Sequence, residues 1–116
     1  MFRVKLNTSV SAATLHLDHS PVPADQSVGG APTTATSAIG EFSGLEVGVW
    51  EMTPGVMSDV EADEVFVVLS GSATVEFADD SPTLHVGVGD VVRLGAGAQT
   101  VWTVTETIRK VYLSVG

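Results

Sequence analysis

Few side chains in this sequence are placed to do chemistry, and the best placed are Glu64, Thr100, Trp102, Lys110 and Tyr112. Glu64 opens the run Glu64-Val-Phe-Val-Val-Leu-Ser-Gly71. Alternation puts Glu64, Phe66 and Val68 on one face of a strand and Val65, Val67 and Leu69 on the other. Both faces are largely apolar, so the strand is covered on both sides. A carboxylate opening such a strand lies at the rim, finds a partner, or takes up a proton. In the stretch 100–112, Thr100, Trp102, Val104, Glu106, Ile108, Lys110 and Tyr112 share one face if the strand stays regular, and a bulge would exchange the faces. Inward-facing Glu64 and Lys110 would compensate each other's charge, with Trp102 and Tyr112 as aromatic walls. If a reaction occurs, Glu64 is the candidate general acid or base and Lys110 the electrostatic stabiliser.

Other chemistry-bearing residues fall into weaker patterns. Glu61 and Asp63 form an acidic trio with Glu64, but alternation sends them away from it, so a shared hard-cation site needs an irregular backbone. His16 and His19, in Leu15-His16-Leu17-Asp18-His19, read as two solvated loop histidines. His85 reads as a surface residue or a satisfied hydrogen-bonder. Trp50 reads as a core aromatic, and Glu51 with Arg109 as a cross-strand ion pair. The glycine-rich turn 87–97 is followed by neither Lys-Ser/Thr nor an expected helix, so it is turn chemistry rather than a phosphate loop.

The elements that must hold these residues are short and β-rich. Runs at Leu45 to Met52, Val65 to Leu69, Ala73 to Phe77, Thr83 to Val86, Val91 to Leu94, Thr100 to Glu106 and Ile108 to Val115 are separated by Pro54-Gly55, Ser70-Gly71, Asp79-Asp80-Ser81-Pro82, Gly87 to Asp90 and Gly95-Ala96-Gly97. No stretch sustains helical periodicity behind a cap. Many short strands indicate an all-β sandwich or barrel. Before Gly40, Phe2, Val4 and Leu6 alternate as a short strand, and a second strand is expected around Thr33 to Ile39. The intervening chain is rich in Ser, Thr, Ala, Pro and Gly. We therefore divide the chain into an N-terminal arm, 1–40, with one or two edge strands, and a barrel core, 41–116.

With 116 residues, 44% apolar and 16% charged, one compact domain is expected. The net charge of −9 repels nucleic acid and anionic membrane surfaces. The absence of cysteine removes disulfides, thiolate nucleophiles and Cys-type zinc sites. No apolar run forms a signal peptide or spans a bilayer, so a cytoplasmic location is expected.

Several of these segments resemble a known superfamily. Glu64 to Gly71 matches the E(x)6G end of the first cupin motif, G(x)5HxH(x)3-4E(x)6G. Gly89 and Gly97 match the second, G(x)5PxG(x)2H(x)3N, in which Gly95 stands at the proline, Thr100 at the histidine and Val104 at the asparagine. Gly48-Val-Trp50-Glu51-Met-Thr-Pro54-Gly55, Asp63-Glu64, Gly89-Asp90 and Trp102 to Tyr112 are similar to the ureidoglycine aminohydrolase-type cupins. The resemblance implies a cupin jelly-roll β-barrel, a single small domain whose mouth receives a small molecule, with a divalent metal in the better-known members. Counting back from Glu64 puts the motif histidines on Ser58 and Val60, or on Met57 and Asp59; counting from Gly55 puts them on Glu61 and Asp63. The first two registers leave too few ligands for Mn²⁺, Fe²⁺ or Zn²⁺, so no metal cofactor is expected.

Three functions compete. The leading one is a metal-poor cupin binding a small polar metabolite (a ureide, amino acid or carboxylate) through Glu64, Thr100, Trp102, Lys110 and Tyr112, within nitrogen or amino-acid catabolism. The second is an enzyme like ureidoglycine aminohydrolase, acting on a small ureide. The third is a structural dimer module, and cupins imply a homodimer in which the N-terminal arm could add a strand to its partner.

Overall fold

The computed structural model describes residues 4–115. Its strands are Ser20–Pro21 (β1), Ser27–Gly29 (β2), Thr33–Phe42 (β3), Leu45–Met52 (β4), Gly55–Val60 (β5), Glu64–Phe77 (β6), Leu84–Gly87 (β7), Val91–Leu94 (β8) and Gln99–Val115 (β9). There is no helix among the described residues, so none is long and apolar enough to cross a membrane. The fold is all-β and antiparallel, a curled half-barrel of the kind that the resemblance implies.

β9 organises the sheet. Along one edge it pairs first with β5, through Val60↔Gln99 to Gly55↔Val104, and then with β4, through Met52↔Ile108 to Leu45↔Val115. Along the other edge it pairs with β6 from Phe77↔Thr100 to Glu64↔Ser114. β6 in turn holds β8 on its first half and β7 on its second. The ladder splits at both ends around one long strand pair, which lets the sheet curl and enclose a core.

The bend lies in β6. Its register against β9 shifts between Val68 and Ala73, and Gly71 sits there at φ +74°, where an added Cβ would lie 1.9 Å from the Thr107 carbonyl oxygen. Only glycine fits that backbone. The bulge also changes parity, so Phe66 and Val68 face inward before it and Ala73 and Val75 after it. Alternation on β9 survives: Thr100, Trp102, Val104, Ile108, Lys110 and Tyr112 are all buried, while Glu106 is exposed beside the bulge. Trp102, Val104, Ile108 and Tyr112 join Met52, Met57, Val92 and Leu94 in the main core.

The structure corrects part of the expected strand layout. The runs 65–69 and 73–77 form one strand, with Ser70-Gly71 a bulge where a turn was expected, and 100–106 and 108–115 are likewise continuous through Thr107. β5 was not expected, since Gly55-Val-Met-Ser-Asp-Val60 has little β propensity of its own; pairing on both sides, with β2 and β9, supplies it. No strand forms at Val4 and Leu6: Val4 only donates its N–H to the Ile39 carbonyl (2.6 Å), and the chain turns at Leu6-Asn7. Phe2 lies outside the described residues. Farther on, Leu17 of the N-terminal arm packs on Ala35, Ile39 and Val49, covering the outer face of β3 and β4.

Candidate functional site

A cavity of about 230 Å³ opens where β4, β9 and the β5–β6 connection converge, and Trp50, Glu61, Glu64, Trp102, Lys110 and Tyr112 are among its walls. The register explains the convergence. Trp50 and Val68 flank Lys110, Phe66 lies opposite Tyr112, and Asp59 lies opposite Thr100.

Lys110 is the centre of the arrangement. Its Nζ donates to Glu64 Oε2 at 2.9 Å, with side-chain exposures of 6% and 10%. The same ammonium lies 4.2 Å from the Phe66 ring centroid, 4.7 Å from Trp50 and 5.0 Å from Trp102. The Trp50 and Trp102 rings are 5.3 Å apart and tilted by 59°. A cation held by a carboxylate and three aromatic faces is strongly compensated.

Glu61 is the acid that alternation misplaced. β5 ends at Val60, so residues 61–63 leave the strand and parity no longer applies. The Glu61 backbone is pinned, its N–H donating to the Ala98 carbonyl and its own carbonyl accepting from Gly97 (both 2.8 Å). Its side chain turns inward and is 7% exposed. Thr100 Oγ1 (2.6 Å) and Trp102 Nε1 (3.0 Å) both donate to Glu61 Oε2. Asp63 points the other way, to a half-exposed pair with Arg93 at 2.5 Å. The signal for Glu61 was present on β9: an inward hydroxyl and an inward indole N–H require an acceptor.

Of the residues singled out in the sequence, Glu64, Trp102, Lys110 and Tyr112 line the cavity together. Thr100 stands behind it and acts through Glu61. Tyr112 contributes its ring, packed against Gly48, where a Cβ would lie 2.3 Å from the hydroxyl. That hydroxyl donates to Glu46 Oε2 at 2.8 Å. Burial, then the Glu46 hydrogen bond and charge, push the Tyr112 pKa well above its ordinary 10.0. Asp59 also borders the cavity, and burial together with the neighbouring Glu61 raises its carboxyl above the usual range. Trp50 is a wall of the cavity as well as a packing residue, which its reading as a core aromatic did not include. A larger, open groove of about 520 Å³ runs past Asp25, Ser58, Glu76 and Phe77, but no cation or aromatic cage faces it, and we do not take it as the site.

On the opposite face of the sheet, Arg109 Nε donates to Glu51 Oε2 at 2.7 Å, with side-chain exposures of 10% and 17%. The pair is more buried than an ordinary surface bridge. Arg109 Nη1 also donates to the carbonyls of Ala12 (2.9 Å) and Leu15 (2.7 Å), tying down the arm. His19 is an exposed loop histidine, as expected, but its ring is engaged, bridging Glu51 Oε1 (2.7 Å) and Thr33 Oγ1 (2.9 Å). His16 reaches only Asp18 and is exposed. His85 is exposed and makes a long contact with Thr74 (3.5 Å). Burial raises the Glu51 pKa, but the hydrogen bonds and charges of Arg109 and His19 outweigh it and hold the group below its ordinary 4.5.

The divalent metal implied by better-known cupins does not fit these donors. Among the described residues no three His, Asp or Glu side chains converge on one point. Glu64 is committed to an ammonium and Glu61 to two N–H or O–H donors, while Val60 is two-thirds exposed. Such a set cannot replace the water shell of a transition metal.

The sequence from 40 to 112 matches the family described as the EutQ-like cupin domain. The chain belongs to the EutQ-like cupin family. No curated protein matches this cupin. Among solved structures it is similar to a protein of unknown function from Pseudomonas syringae pv. tomato, at 26% identity and TM-score 0.74, covering 87% of this chain and 45% of that one. It is also similar in fold to the EutQ protein of Clostridium difficile (18% identity, TM-score 0.60, 72% of this chain and 63% of that one). A putative ethanolamine utilization protein Q from Salmonella typhimurium shares the fold at 15% identity and TM-score 0.60, over 87% and 96% of the two chains. This EutQ-like cupin thus spans less than half of the Pseudomonas protein and under two thirds of the Clostridium one.

Proposed function

We propose that this EutQ-like cupin binds a small polar metabolite of the ureide, amino-acid or carboxylate class in the cavity beside Lys110, as a binding protein of nitrogen or amino-acid catabolism. One observation carries the reading: a cavity of about 230 Å³ joins Glu61, Glu64 and Lys110 to the faces of Trp50, Trp102 and Tyr112. That volume equals about eight waters, enough for a metabolite and too little for a drug-sized ligand. Polar groups interleaved with aromatic walls can orient a small amphipathic molecule. The resemblance to ureidoglycine aminohydrolase-type cupins is what brings ureides into this class, and a homodimer in the cytoplasm belongs to the same proposal.

The test is a thermal-shift screen of the intact protein against ureides, amino acids and small carboxylates. A ligand at a hundred times its dissociation constant stabilises the fold by about 2.7 kcal/mol, a shift of roughly 10 °C for a domain of this size. A hit that disappears in W50A supports the cavity. No shift with any compound refutes the proposal.

A further inference from the structure

We infer that the ligand group recognised in this cavity is a small organic ammonium, seated on the free oxygen of Glu61. This rests on the binding reading above and adds the sign of the ligand's charge and the atom that meets it. Three carboxylates, Asp59, Glu61 and Glu64, face one ammonium, Lys110. Lys110 is fully engaged by Glu64 and three aromatic faces, so it has little attraction left for an anion. Once that pair is cancelled, negative charge remains.

Glu61 carries it. Among the described residues its partners are the Thr100 hydroxyl and the Trp102 indole, both neutral and both on Oε2. An ionised carboxylate only accepts, so Oε1 requires a donor. No fully buried side-chain oxygen or nitrogen lacks a partner among the described residues, which means that Oε1 of this otherwise buried residue reaches open space. The cavity it borders is also walled by Trp50, which is only half-buried and leaves ring surface for the ligand's alkyl part. A metal ion needs several converging donors, whereas an alkylammonium needs one strong charge-assisted hydrogen bond and an aromatic surface. A simple carboxylate would meet Glu61 and Asp59 with no free cation to receive it.

Size-matched probes separate these cases: butylammonium, butyramide and butyrate, each titrated into the intact protein at constant ionic strength. Melting temperature and the indole N–H signals in ¹H–¹⁵N spectra are the readouts. The chain has two tryptophans, and W50F assigns their signals. Butylammonium is expected to raise the melting temperature and move the Trp102 indole signal, with butyrate at least tenfold weaker. Glu61→Gln, which keeps an acceptor for Thr100 and Trp102, is expected to lose the butylammonium response by tenfold or more. Equal binding of butyrate or butyramide overturns the inference, as does unaltered butylammonium binding to E61Q. Should E61Q not fold, a butylammonium-bound wild type with an unmoved Trp102 indole overturns it too. If butylammonium fails but a ureide or amino acid binds, the inference falls and the binding proposal stands; if nothing binds, both fall.

Discussion

Replacing Lys110 with Met should be one of the most damaging single changes available in the cavity. Lys110 and Glu64 are 6% and 10% exposed in their side chains, so solvent screens their pairing little. Removing one partner of a buried pair leaves the other charge uncompensated, at about 3–5 kcal/mol. Met retains most of the stem and its sulfur still suits the surrounding rings, which holds the packing loss down. We therefore expect about 3 kcal/mol, or roughly 12 °C in melting temperature at about 4 °C per kcal/mol. Glu64→Gln strands the Lys110 ammonium but keeps an acceptor and the three aromatic faces around it, so it should cost somewhat less, about 2–3 kcal/mol. The double variant carries no stranded charge, so it should be more stable than the sum of the single losses predicts, by about 1–3 kcal/mol. Urea unfolding of all four proteins gives these values if the slope with denaturant stays constant. Losses that add to within about 0.5 kcal/mol would mean that Glu64 and Lys110 do not meet, and the geometry of the cavity would be wrong.

Two further outcomes follow from the fold. Gly71→Ala must force a Cβ against the Thr107 carbonyl at a left-handed φ, and its melting temperature should fall by the equivalent of roughly 3 kcal/mol. Among the groups on which pH acts, Glu51 and Tyr112 have opposite signs. The depressed Glu51 contributes stability that is present above its unfolded value of 4.5 and is lost as pH falls through the lower folded value, so the melting temperature should drop on acidification below that point. The raised Tyr112 contributes stability that is present below 10.0 and is lost as pH rises toward its folded value. Tyr112 is the one tyrosine in the chain. Its tyrosinate absorbance should therefore be missing at pH 10 in the folded protein and present in urea, and a normal titration in the folded state would refute its burial against Glu46.

The fold was legible wherever turn chemistry bounded an alternating run. Leu45 to Met52 and Val91 to Leu94 fall on β4 and β8, each between glycine, proline or aspartate turns. Reading failed where a partner strand overrode local signals. Ser70-Gly71 looks like a reversal, yet with β9 running alongside it becomes a bulge. β5 looks weak and is held by neighbours distant in sequence. In the candidate site, the inward parity of Lys110, Trp102 and Tyr112 could be read from alternation, and Glu64 faced them. Alternation could not place Glu61, because its position depends on a three-residue departure from strand geometry fixed by the Gly97 and Ala98 backbone bonds; the inward Thr100 and Trp102 donors signalled only that some acceptor must face them. The engagement of His19 was missed for a similar reason: its partner Glu51 is 32 residues away.

The place of β9 in the chain has a consequence for biosynthesis. β4, β5 and β6 all pair with β9, and all three precede it. A ribosome therefore delivers three partners before the strand that joins them, and each waits with an unsatisfied edge. The cavity cannot take shape during that interval, because Trp102, Lys110 and Tyr112 arrive on the joining strand itself. Until β9 emerges, β4, β5 and β6 each keep one open edge on which strands of another chain could pair.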